Sequence, residues 1–334
     1  MALKNEVQWG MRNLDKQNHW QRLKLEKYAP DKPVVVCIGG NGTVTENSAN
    51  GMGKFVENYL QLLFKKNGMN HVYNYVDIVS AVYPTSDGSD KGKFSKEDID
   101  GFVDNFLIKL IQDEKDELVP LNEACRRLAQ VTFFTFCRGH MEVDKIMRAF
   151  YKELKVLGYS KEEINILMMS TFEVSFAPLT YSSVIPAMFV DTKQDDMLNS
   201  AWKNHETAAH SGEDLNGVAI KLERYGDPLL SGVAVSEAIF DSIHVYSSRL
   251  RNDVEGDEHN LSLLSRDGEW NAKYESNADC VSQIVAWALA RSVENGLDNK
   301  KSKKFVRKMD LEDLVEELES IKADFSAEQL MSKE

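Results

Sequence analysis

Short apolar runs alternate with stretches of helical spacing along most of this chain. Pro33-Val-Val-Val-Cys-Ile38 is continuously apolar and predicts a buried parallel strand, followed by the glycine loop Gly39-Gly40-Asn41-Gly42-Thr43. Phe55, Val56, Tyr59, Leu60 and Leu63 predict a helix over residues 53–66, and His71 to Tyr83 a second strand closed by Pro84. Two helices are expected near residues 95–113 and 121–130, the first opened by a capping box of Ser95 and Asp98. Val131 to Phe136 is β-branched and aromatic throughout, hence a buried strand, and Ile146, Met147, Phe150 and Leu154 give residues 141–157 a helical stripe. Ile164 to Met169 and Val184 to Val190 read as further strands, the latter running into Asp191-Thr192. Residues 192–216 read as a surface excursion. Gly217 to Leu222 reads as a strand with Gly226-Asp227-Pro228 as its turn, and Val233 to Leu250 as a helix. Ala278 to Val293 is strongly helical, with Gly296 placed to end it. Strands alternating with helices predict a mostly parallel sheet flanked by helices on both faces.

Three segments follow from this pattern. Residues 1–32 are a polar arm or short helix anchored by Trp9 and Trp20, and residues 33–299 form the α/β domain. In residues 300–334 a basic run, Lys300-Lys-Ser-Lys-Lys304, precedes an acidic helix striped by Leu311, Leu314, Val315, Leu318 and Ile321.

Composition narrows the partners. The chain carries 40 basic and 53 acidic residues, a net charge of −13, and no basic stripe offsets it, which argues against nucleic acid. No apolar run reaches the length of a membrane span, and the first ten residues lack a signal-peptide pattern. Cys37, Cys125, Cys137 and Cys280 are widely spaced and read as free thiols of a cytoplasmic protein, with no zinc site, metal or cofactor implied.

Strand, abrupt Cys137-Arg138-Gly139 turn, then helix is the pattern of a nucleophile elbow, with small residues (Thr135 and Gly139) two before and two after the nucleophile. The alternative is a buried cysteine closing a central strand. A thiol nucleophile needs a base, a carboxylate to orient it and amides for the oxyanion. His259, in a polar glycine-containing loop before the last long helix, is the candidate base; His19, His71 and His140 precede or adjoin the turn and are poor candidates. Asp191, at a strand end, is the candidate acid, with Asp227 as runner-up; the alternative for Asp191 is a helix cap. Arg138 supplies an oxyanion amide, and its guanidinium either acts on the thiol or forms a structural ion pair. Gly40, Asn41 and Gly42 contribute further oxyanion amides. The same loop also resembles the GGDGT signature of diacylglycerol and NAD kinases, with Asn41 at the place of the aspartate.

Taken together, Asn41-Gly42-Thr43, Phe136-Cys137-Arg138-Gly139, Phe189-Val190-Asp191-Thr192, Gly256-Asp257-Glu258-His259 and a helix carrying Trp287 and closing at Gly296-Leu297 follow one order. That order resembles a family of uncharacterised α/β-hydrolase domains that includes type VI secretion lipase effectors with phospholipase activity. The family's opening Asp is Asn41 here, its nucleophilic Ser is Cys137, and the histidine loop is one residue longer. The resemblance implies an α/β-hydrolase-like fold with a C-terminal helical extension. It implies a cytoplasmic hydrolase, or an effector secreted without a cleavable signal, acting on acyl esters or thioesters, lipids and phospholipids among them. The alternative it leaves open is a catalytically reduced effector or scaffold that binds a protein partner through residues 300–334; a lipid- or NAD-kinase-like phosphotransferase is the third.

Overall fold

In a computed structural model the described residues are 6–13, 19–41, 43–66, 75–84, 93–176, 178–179, 183–192, 217–223, 240–246, 289, 292–298, 300–301 and 303. They form an α/β fold around one mixed sheet. In chain order its elements are β1 (Gln8–Asn13), β2 (His19–Leu23), β3 (Val34–Ile38), α1 (Glu46–Lys66), β4 (Asp77–Val82), α2 (Lys96–Phe102) and α3 (Ile108–Leu110). After these come α4 (Leu121–Leu128), β5 (Val131–Phe136), α5 (Gly139–Val156), α6 (Lys161–Met168), β6 (Phe172–Phe176), β7 (Ala187–Thr192), β8 (Gly217–Glu223) and β9 (Phe240–Tyr246). A π-helical turn, Val103–Leu107, joins α2 to α3.

The strand order is β2-β1-β4-β3-β5-β6-β7-β8-β9. The five central strands, β4 to β7, are parallel, and antiparallel pairs flank them on both sides. The chain leaves β3 to build β4 on one side and returns to build β5 on the other. The carboxyl ends of β3 and β5 therefore form a topological switch point, the place where open parallel sheets bind ligands.

Because β3 and β5 are covered on both faces, they are apolar without alternation. Val34, Val36, Ile38 and Phe133 face a core built with α2, α4, α5 and α6. The opposite face carries Phe134 and Phe176 packed on Phe55 of α1, at ring separations of 5.6 and 6.3 Å. Residues 292–298 are helical, and Ser292 hydrogen-bonds Thr132 of β5.

Several expectations are corrected. Gln8–Asn13 and His19–Leu23 pair as antiparallel strands β1 and β2 in place of an arm or short helix; a Cβ on Gly10 would stand 1.9 Å from the Trp20 ring, so the glycine makes room for that ring against β1. Residues 164–169, expected as a strand, belong to helix α6 and its C-cap. The Ser160–Glu163 capping box starts that helix, and Ile164, Leu167 and Met168 form its buried stripe. Replacing Ser160 with alanine is expected to lower the unfolding free energy by about 1 kcal/mol in urea titrations. The strand that pairs with β5 is instead β6, whose Phe-Glu-Val-Ser-Phe alternation is fully buried. Residues 240–246 form strand β9 where a helix was expected. Gly296 lies inside a helical stretch and does not end it. A Cβ there would meet the Ala129 carbonyl oxygen and Gln130 Cα at 3.0 Å, so its role is close packing.

Among the described residues no helix is long and apolar enough to cross a membrane. Gly42, Asp227, His259, Cys280 and residues 304–334 lie outside the described residues.

Candidate functional site at the carboxyl edge of β3 and β5

Cys137 follows directly on β5 and carries φ +54°, a left-handed conformation costly for a residue with a Cβ. Three contacts hold it there. Its N–H donates to the Phe176 carbonyl at the end of β6, at 2.8 Å. Gly139, two residues on, opens α5 against β3: a Cβ at this position would lie 1.9 Å from the Ile38 carbonyl oxygen. Gly40 closes the other side, its Cβ position 3.1 Å from Cys137 Cβ and 3.5 Å from Sγ. The two glycines let a strand, a helix and a loop converge on Cys137, a residue 4% exposed.

The loop after β3 is itself pinned. The Thr43 N–H donates to the Gly40 carbonyl at 3.0 Å, closing a tight turn, and a Cβ on Gly39 would overlap the Thr43 hydroxyl. The Tyr83 hydroxyl donates to the Gly39 carbonyl at 2.7 Å. Burial, followed by the negative charge of Glu142, holds the Tyr83 phenol well above its usual range, so it remains a donor. Sequence reasoning passed over Tyr83, which stands at the end of β4 on the same sheet edge.

Arg138 is committed to an ion pair. Its Nε lies 3.3 Å from Oε1 of the fully buried Glu142, which also receives Lys145 Nζ at 2.9 and 3.0 Å. Its Nη1 donates to Asn41 Oδ1 at 3.4 Å, tying the turn to the glycine loop. Of the two roles open to the guanidinium, the structural ion pair is the one observed.

The structure thus brings Gly40, Asn41, Cys137 and Arg138 together. Asp191 is the penultimate residue of β7, paired with Ala219 of β8. Since β5, β6 and β7 are parallel, Asp191 lies on the same sheet edge as Cys137, two strands away. His259 lies outside the described residues.

A second polar group adjoins the turn that sequence reasoning missed. Thr135 of β5, Glu173 and Ser175 of β6, and His140 of α5 are fully buried together. Thr135 Oγ1 is 2.7 Å from Glu173 Oε1 and 2.8 Å from Ser175 Oγ, and His140 Nδ1 is 3.0 Å from Glu173 Oε1. The signal was the alternation of β6, which puts Glu173 and Ser175 in register with Phe133 and Thr135, on one face of the sheet. His140, set aside as a base, is one half of this pair.

Among the described residues Cys37, Cys125 and Cys137 are buried and unbridged. Burial pushes the Cys37 thiol up to about 12 and raises that of Cys125. Native Cys37 is therefore expected to resist iodoacetamide at about pH 9 and to react once the chain is denatured, as peptide masses would show. A cavity of about 240 Å³, lined by Tyr28, Phe106, Arg126 and Gln130 among others, opens at the amino edge of the strands and shares no residue with the Cys137 turn.

No family model and no curated protein sequence matches the chain.

Proposed function

We propose that the chain is an α/β-hydrolase-like enzyme that cleaves acyl esters or thioesters, with Cys137 as nucleophile. In this reading the thiolate attacks the acyl carbon, the amides of Arg138 and the Gly40–Gly42 loop hold the oxyanion, and the leaving group departs with a proton from His259. Asp191 orients His259, and water then releases the acyl group from the thioester. The observation that carries the reading is the left-handed backbone of Cys137 at a strand-to-helix turn on the topological switch point. A merely structural cysteine has no need of that strain. The α5 N-terminus directly after it supplies amide dipoles that favour an anion. The family resemblance, and lipids as the acyl donors, belong to the same proposal.

A hydrolase-fold scaffold that has given up catalysis is the second reading, and the slight exposure of Cys137 favours it. One experiment separates the two: a panel of short and long acyl esters, thioesters and phospholipids, assayed with the full chain and with Cys137→Ala. Turnover by the full chain that Cys137→Ala lacks supports the enzyme. Turnover equal in both, or absent from both, overturns it.

A further inference from the structure

The glycine loop after β3 is bound at both ends to one residue that follows β4. Tyr83 is wholly buried, its ring set against Phe94 at a centroid separation of 5.1 Å. Its N–H donates to the Thr43 carbonyl at 2.9 Å, and its hydroxyl donates to the Gly39 carbonyl at 2.7 Å. Between these anchors the Thr43 N–H closes on the Gly40 carbonyl at 3.0 Å. Backbone and side chain of a single tyrosine thus hold the loop at its first residue and at its last.

The bond to Gly39 also sets a direction. A peptide unit is planar and trans, so its carbonyl and its N–H point opposite ways. With the Gly39 carbonyl held by Tyr83, the Gly40 N–H leaves the same peptide on the side away from β4. Because β4 and β5 flank β3 on opposite sides, that is the side of β5, with Cys137 at its end. Gly40 is buried, and its Cβ position lies 3.1 Å from Cys137 Cβ. Among the described residues its N–H donates to no backbone carbonyl. Buried amides are nearly always paired, so a donor left over beside a thiol at a strained turn is suited to an oxygen anion formed there.

We infer that Tyr83 is a positioning residue: it fixes the β3–α1 loop at both ends and turns the Gly40 amide towards Cys137. Its effect on turnover rests on the reading of Cys137 as a nucleophile; its hold on the loop does not. An oxyanion exists in the transition state and not in the bound ester, so a misaimed amide lowers kcat and leaves KM in place.

Tyr83→Phe removes the hydroxyl and keeps both the ring and the backbone N–H. Hydrogen exchange of the full-length protein, read by mass spectrometry, reports the loop without any substrate. Peptides covering residues 39–43 are expected to exchange about fivefold faster in the variant, the scale of one lost hydrogen bond, with β3 and β5 unchanged. On whichever ester the full chain turns over, kcat should fall about tenfold, with KM within about twofold of the parent. Tyr28→Phe is the control. The Tyr28 hydroxyl donates to Asp77 at 2.9 Å at the amino edge of the sheet, so its loss should move neither loop exchange nor kcat. Loop exchange unchanged in Tyr83→Phe overturns the inference. An equal change in Tyr28→Phe, or a rise in KM with kcat unmoved, overturns it too. Faster loop exchange, beside an ester panel on which the full chain shows no turnover, removes the hydrolase and upholds the hold of Tyr83 on the loop. Should Tyr83→Phe fail to fold, the unaltered protein decides. Residues 39–43 exchanging as slowly as β3 uphold the double anchor, and exchange at the rate of an open chain overturns it.

Discussion

Gly139→Ala is expected to lower the unfolding free energy by about 3 kcal/mol or more, the upper end of what overpacking costs, and urea titration would measure it. The added methyl would stand 1.9 Å from the Ile38 carbonyl oxygen and 2.7 Å from its carbon, with the Gly39 oxygen at 3.0 Å. All three are backbone atoms of the central strand or its loop and cannot swing aside as a side chain would. Relief requires α5 to lift from β3, which also draws Cys137 away from Gly40. Any turnover should fall with stability, and the alkylation rate of Cys137 should change in the surviving folded fraction. A titration midpoint unchanged from the parent would contradict the close approach of helix and strand.

Cys137→Ala is expected to reduce turnover by on the order of 10³-fold or more, the scale seen when a nucleophile is removed and the rest of a site remains. Cys137→Gly should be equally inactive, so activity alone cannot report the backbone. Stability can. Alanine keeps the Cβ that makes φ +54° costly, and glycine does not. Cys137→Gly is therefore expected to be more stable than Cys137→Ala by about 1 kcal/mol, the usual penalty of a left-handed residue. The comparison holds the missing thiol constant and reads the strain directly. Equal stability would mean that the turn relaxes when the thiol is gone.

The turn itself was legible because several local requirements meet at it. A β-branched and aromatic run has to be a strand, Gly139 admits the close approach, and the stripe after it has to be a helix. The α6–β6 region was misread for an equally local reason. Ile-Asn-Ile-Leu-Met-Met satisfies the apolar density of a strand and the spacing of a helix at once. The Ser160–Glu163 box that decides for the helix lies upstream of the run. Phe172 to Phe176 carries a glutamate and a serine between its apolar residues, and no single-sequence rule expects a carboxylate inside a sheet. The His140–Glu173 pair is a property of register between β5, β6 and α5, and register is not local. Trp20 on Gly10 is a similar case: the ring on β2 lies where a Cβ on β1 would stand, and only the register of the two strands brings them together.

Ser292 reaching Thr132, and Gly296 seated against Ala129, Gln130 and Pro33, carry a consequence for how the protein is made. These contacts join the far part of the chain to the amino ends of its two central strands, across some 160 residues in the first case. A nascent chain emerging from the ribosome can build β3, α1, β4 and β5 early, but that end of the sheet stays uncovered until the helix at residues 292–298 has been synthesised. During that interval Thr132 and the apolar residues beside it lack their native cover. The intermediate is of the kind that chaperones hold, and final closure of the domain is a late event in its synthesis.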